Sequence, residues 1–170
     1  MKQQPWLRWV GLAVMLLFYP YLDRALGLQT LNAVTDAAAL PYRLAADGSM
    51  RVMLITSRGT RRFVVPKGWP MKKKSSAAAA ACEARQEAGV VGQMARVPIG
   101  SFRYWKRLSV GFVPIIVRVF PMAVETVLDS WKEEAERGRK WLCPEDAATL
   151  VDEPALASLV RRMPELIRRR

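Results

Sequence analysis

Glu83 and Glu87 stand four residues apart in the stretch KGWPMKKKSSAAAAACEARQEAGV, Lys67 to Val90, with Gln86 three residues after the first. On a helix this spacing puts both carboxylates on one face with the amide beside them. A turn at Gly68 that exposes backbone carbonyl oxygen, followed by such a helix, offers the hard oxygen ligands that Mg²⁺ takes. The ion keeps several waters and completes its near-octahedral shell with substrate phosphate. There it would neutralise phosphate charge and lower the pKa of an attacking water. The plain alternative is a solvated helix face, because a like-charged i, i+4 pair costs only about 0.2–0.5 kcal/mol without any cation. Histidine is absent, so catalysis must use carboxylates, Lys, Tyr or Cys.

The elements that would position these residues form an α/β pattern. Ala37 to Leu44 and Arg51 to Ser57 read as strands around an Ala-Asp-Gly-Ser turn. MRVMLITS is apolar on both alternating sets and predicts a strand covered on both faces. A short strand over Arg62 to Val65 follows the Arg58–Arg61 turn, and Pro66 and Gly68 begin the loop into the helix. Ser75 or Ser76 supplies the N-cap, the alanines favour helix, and Gly89 sits where a left-handed turn ends it. Strands are expected at Ile99 to Lys106, Val110 to Val119 and Arg139 to Cys143, then helices from Pro144 and Pro154.

The 170 residues suffice for one domain with a proper core, and 27 basic against 15 acidic residues leave a charge of +12. Such a domain favours polyanions: phosphate-rich small molecules, acidic lipid or nucleic acid. Nucleic acid is disfavoured, because the basic residues are spread over several elements and no binding motif is present. Tyr104 and Trp105 are expected as core aromatics and not as a base-stacking platform. Two cysteines are too few for a disulfide framework and fit a reducing, cytoplasmic compartment. Residues 1–30 form an apolar segment. Its 14 uncharged residues from Trp9 to Leu22 fall short of a bilayer span, so residues 6–22 read as an interfacial or signal-anchor helix, a non-native start, or a helix packed on the domain. Residues 31–160 make the domain and 161–170 a basic tail.

The full spacing resembles the Nudix box of the Nudix hydrolase family, G-x5-E-x7-R-E-U-x-E-E-x-G-U with U aliphatic. Gly68 takes the first position, Glu83 the glutamate after the arginine, Ala84 the aliphatic position and Glu87 the last glutamate. Gly89 and Val90 close the box without a gap. LPYR, LITSRGTRRFVVPKGWP and RKWLCPEDA in the flanks resemble the subgroup near diphosphoinositol polyphosphate phosphohydrolases, and the likeness covers Ala37 to Leu159. The box is degenerate: Lys74 stands at its first glutamate, Cys82 at its arginine, and Gln86 at a metal-binding glutamate.

The resemblance implies a Nudix α/β/α sandwich, a mixed sheet between helices. It implies hydrolysis of a diphosphate linkage in a nucleoside or inositol diphosphate derivative, with Mg²⁺ as cofactor and Mn²⁺ as substitute. Gly68, Glu83, Gln86 and Glu87 would hold the metal, with Glu83 and Glu87 catalytic. Ser57, Arg58, Arg62, Lys67, Lys106 and Arg137 are the candidate substrate contacts. Glu83, or one of Glu133, Glu134 and Glu136, is the candidate general base. Because Gln86 carries one charge fewer than glutamate, the alternative is an inactive domain that binds a phosphorylated ligand or partner, either free or at a membrane through residues 6–22.

Overall fold

The computed structural model describes residues 35–108 and 111–169, with the side chains of 35–105 and 113–169. The apolar segment 1–30, with its candidate interfacial helix at 6–22, lies outside the described residues. The strands are β1 (Thr35–Leu44), β2 (Met50–Thr56), β3 (Phe63–Val64), β4 (Lys67–Gly68), β5 (Val90–Met94), β6 (Gly100–Leu108), β7 (Gly111–Val127) and β8 (Arg139–Leu142). Helix α1 (Ser76–Glu83) runs straight into a π-helical turn, Ala84–Ala88, and α2 (Pro144–Leu150) and α3 (Pro154–Arg168) close the chain.

One mixed sheet carries the order β3-β2-β1-β7-β5, with β4 paired to β1, β6 to β7 and β8 to β2. β1 and β7 run parallel, Thr35 opposite Ile116 through Tyr42 opposite Ala123, and the other pairings are antiparallel. Alternation along the central strands builds two cores. Ala38, Leu40, Val52 and Leu54 face α2 and α3 through Ala147, Leu156, Val160 and Met163. Ala37, Ala39, Met53 and Ile55 face α1 and its continuation through Ala80, Ala84 and Ala88. Alanines at i, i+4 and i+8 let this helix lie close to the alanines of β1, which brings its carboxylates down to the sheet edge. The result is the expected α/β/α sandwich, and MRVMLITS is covered on both faces.

Several boundaries differ from the sequence reading. The strand expected over 62–65 breaks at Pro66, whose carbonyl accepts from Ala39 N at 3.0 Å, and resumes as β4 against β1. Lys67 and Gly68 are therefore strand, held at fixed height beside the helix. β7 passes through Pro121 to Val127 because β5, which the sequence reading did not separate, pairs with its far half. The helix expected from Pro154 to Arg168 is α3, with Leu156, Val160 and Met163 as one buried stripe that runs on past residue 160.

Gly89 ends the π-helical turn at φ 62°, and a Cβ there would lie 2.7 Å from the Trp131 ring. Gly89→Ala is expected to destabilise the fold by about 2 kcal/mol through left-handed strain and that overlap, read as a lowered urea midpoint.

Candidate functional site

Ser75 caps α1, its Oγ accepting from Ala78 N at 3.2 Å. From this fixed start the helix delivers Glu83 and Glu87 to β4. The Glu83 carboxylate lies directly against the Gly68 backbone, where a Cβ would overlap it. One residue earlier, Lys67 N donates to Glu87 Oε2 at 3.0 Å. The glycine thus has a steric reason, and two carboxylates meet one strand at successive residues. Among the described residues no hydrogen bond engages the Glu83 carboxylate, whereas both oxygens of Glu87 accept one.

The second partner of Glu87 comes from the 129–138 loop. Arg137, 8% exposed, donates through Nη2 to Glu87 Oε1, through Nε to Glu133 Oε2 at 2.6 Å and through Nη1 to Thr56 O at 3.1 Å. Trp131 pins the same loop to the helix: its Nε1 donates to Glu87 O at 3.2 Å, and the Arg139 guanidinium lies 4.0 Å from its ring centroid. Arg139 also donates to Ala88 O and Gly89 O, satisfying carbonyls at the helix end. Trp131, Arg139 and Thr56 were not singled out in the sequence. A tryptophan in an otherwise polar loop was the one signal that could have marked the anchor.

Burial pushes the Glu83 carboxyl above the ordinary 4.5, and the negative charges of Glu133 and Asp36 push it further, against Arg137 and Lys132. Burial also pushes Glu87 up, with Arg137 and the Lys67 N–H pulling against it. The Lys67 ammonium, 5.2 Å from the Tyr104 ring centroid, is pushed down by burial against the attraction of Glu87 and Glu153. For Glu83 the folded state binds protons more tightly than the unfolded, so stability falls as pH rises from about 4.5 through its raised pKa. Metal-free Glu83→Gln is therefore expected to be more stable than wild type at neutral pH. The difference should vanish below pH ~4, as measured by urea unfolding across pH.

The remaining candidates are distributed unevenly. Gln86 Oε1 accepts from Lys132 Nζ at 3.2 Å beside a cavity of about 320 Å³ lined also by Cys82, Arg85 and Trp131. It is not joined to the two carboxylates as expected of a third metal ligand. Arg137 is not placed as a substrate contact either, since it is buried with its guanidinium engaged on three sides. Arg62 is committed to Asp152 and Glu153, both at 3.0 Å. Ser57 Oγ pairs with Thr60 Oγ1 at 2.8 Å inside its turn. Arg58 is exposed and reaches Glu136 at 3.5 Å. The Lys106 side chain lies outside the described residues. Of the loop acids, Glu133 stands in the field of Glu83, while Glu134 bonds Trp131 N and Glu136 faces Arg58. Tyr104 packs inward and donates to Asp36 at 3.1 Å, but Trp105 is 67% exposed and is not the core aromatic expected.

This arrangement can be set beside known proteins. No family model matches the chain. Nudix hydrolase 18, mitochondrial, of Arabidopsis thaliana is 32% identical over 114 residues, covering 64% of this chain and 63% of that protein. The chain is similar to Nudix hydrolases over that stretch. It spans a little under two thirds of the length of the curated relatives it matches. The same fold recurs in a C. elegans Ap4A hydrolase binary complex, with TM-score 0.60, 20% identity, and coverage of 79% of this chain and 98% of that one. It recurs also in the E. coli dihydroneopterin triphosphate pyrophosphohydrolase, with TM-score 0.59, 13% identity, and coverage of 75% and 92%.

For a metal the helix offers hard oxygen donors: Glu83 against Gly68, and Glu87 one residue along the strand. These fit Mg²⁺, which needs few protein ligands and keeps waters. Among the described residues no group of three or more acidic or cysteine side chains converges as a metal cage. A cation held here would thus rest on two carboxylates, with Gln86 apart. Among the described residues no helix is long and apolar enough to cross a membrane, which says nothing of strands.

Proposed function

We propose that this Nudix domain hydrolyses a diphosphate linkage in a nucleoside or inositol diphosphate derivative. Mg²⁺, replaceable by Mn²⁺, would be held by the Gly68 carbonyl, Glu83 and Glu87. The observation that carries the proposal is the meeting of both carboxylates with adjacent residues of β4, Glu83 against the Gly68 backbone and Glu87 on Lys67 N. When bound, the ion supplies neutralisation of phosphate charge and a lowered pKa for the attacking water. The chain's own residues do the rest. β4 fixes the height of both acids, and Arg137 and Trp131 hold the loop against the helix. Glu133, whose charge acts on Glu83 and which lies outside the proposed metal set, would accept the proton of water through the oxygen not bonded to Arg137. Exposed Arg58 can grip outer phosphate oxygens, and Arg62 can do so on leaving its acidic partners. Similarity of fold to proteins named for Ap4A and dihydroneopterin triphosphate does not choose the group carrying the diphosphate.

A second reading is a domain that binds a phosphorylated ligand without turnover. It is favoured by Gln86, a neutral amide held by Lys132. Phosphorus NMR of a panel of diphosphate substrates with Mg²⁺, and again with excess chelator, tests both. Metal-dependent product formation by wild type supports hydrolysis. Silence in wild type with turnover by Gln86→Glu supports the second reading.

A further inference from the structure

The most heavily engaged group near the two carboxylates is a cation. Arg137 is buried and presents its planar guanidinium to the carboxylate. Its guanidinium touches Glu87 Oε1, while the neutral Lys67 N–H holds Oε2. Glu83 differs: it lies against Gly68 with no hydrogen bond among the described residues. The two acids are therefore unequally available to an incoming ion.

We infer that Arg137 is a built-in competitor of the metal for Glu87, so that a divalent cation must displace a guanidinium to gain its second carboxylate. The inference rests on Glu83 and Glu87 being the metal ligands. Two positive groups on one carboxylate repel each other, most strongly where burial removes screening water. The displaced guanidinium has a place to go, because Nε is already bonded to Glu133 one turn earlier and Nη1 to Thr56 O. Trp131, bonded to Glu87 O and stacked on Arg139, keeps the loop docked meanwhile. Exchange thus needs a side-chain rotation and no opening of the loop. The same Arg137 draws its strength from Glu133, so the loop both blocks the site and retains the group that blocks it.

Mn²⁺ binding to the full chain, read from the EPR signal of the free ion, tests this with wild type, Arg137→Gln, Arg137→Lys and Glu83→Gln. Arg137→Gln is expected to bind Mn²⁺ about tenfold more tightly than wild type, with Arg137→Lys close to wild type and Glu83→Gln strongly weakened. Equal or weaker binding by Arg137→Gln, with Glu83→Gln still weakened, overturns the competitor and leaves the metal ligands standing. Absence of Mn²⁺ binding in both wild type and Arg137→Gln overturns the ligand assignment and the competitor with it. Because Arg137→Gln removes a buried charge and can fail to fold, the wild-type Arg137 Nε–H resonance is followed by nitrogen-15 NMR as Mg²⁺ is added. It is expected to shift to a new position at saturation. A resonance unmoved by saturating Mg²⁺ overturns the inference.

Discussion

Glu87→Ala is expected to lower Mg²⁺-dependent turnover by about a hundredfold or more and to destabilise the fold by about 3 kcal/mol. Both effects come from one carboxylate with two duties. Glu87 is 8% exposed and is the acceptor for Lys67 N and for the Arg137 guanidinium. Truncation leaves a backbone N–H and part of a buried cation without their acceptor. Steady-state kinetics and urea unfolding separate the two effects. The stability loss should appear with or without metal, whereas the kinetic loss should persist at temperatures where the variant is fully folded. The contrast with Glu83 is informative. That acid has no hydrogen bond among the described residues and is opposed by the charges of Glu133 and Asp36, so its removal should weaken catalysis while easing the fold.

Gly68→Ala should share the kinetic loss of Glu87→Ala without its loss of stability. A Cβ at Gly68 would overlap the Glu83 carboxylate, the far end of a flexible, half-buried side chain at the end of α1. The strand pairing Ala37 with Gly68 does not require glycine, so the fold should lose no more than about 1 kcal/mol. Moving a metal-binding carboxylate by about an ångström, however, is expected to cost about a hundredfold in kcat. Kinetics beside a thermal melt check this pair of values. A Gly68→Ala protein with unchanged kcat would mean that Glu83 does not act from the position it occupies against β4.

Much of the sheet was legible because its signals are local. MRVMLITS announced burial on both faces through its own alternation, and Ser75, the alanine run and Gly89 marked a helix by cap, propensity and stop. The carboxylate face followed from the spacing of Glu83 and Glu87. What stayed hidden depends on distant pairing. Arg137 reaches Glu87 across 50 residues, and only the register of β8 on β2 fixes where the loop ends. A lone arginine near a turn looks the same in sequence whether it grips substrate or a buried glutamate. Gln86 shows a second limit: its place beside the acids was read from ideal helical geometry, whereas the chain is π-helical from Ala84 and the amide bonds Lys132. Tyr104 and Trp105 fall on opposite faces, as strand alternation predicts, but only Tyr104 is a core aromatic and Trp105 is exposed.

The most direct test of the metal assignment is an anomalous difference map from a crystal grown with Mn²⁺ and a methylene-bridged diphosphate analogue. The predicted result is a single strong peak bounded by the Gly68 carbonyl, Glu83 and Glu87, with Gln86 still turned to Lys132. A peak elsewhere, or none at a Mn²⁺ concentration that supports turnover, would contradict it.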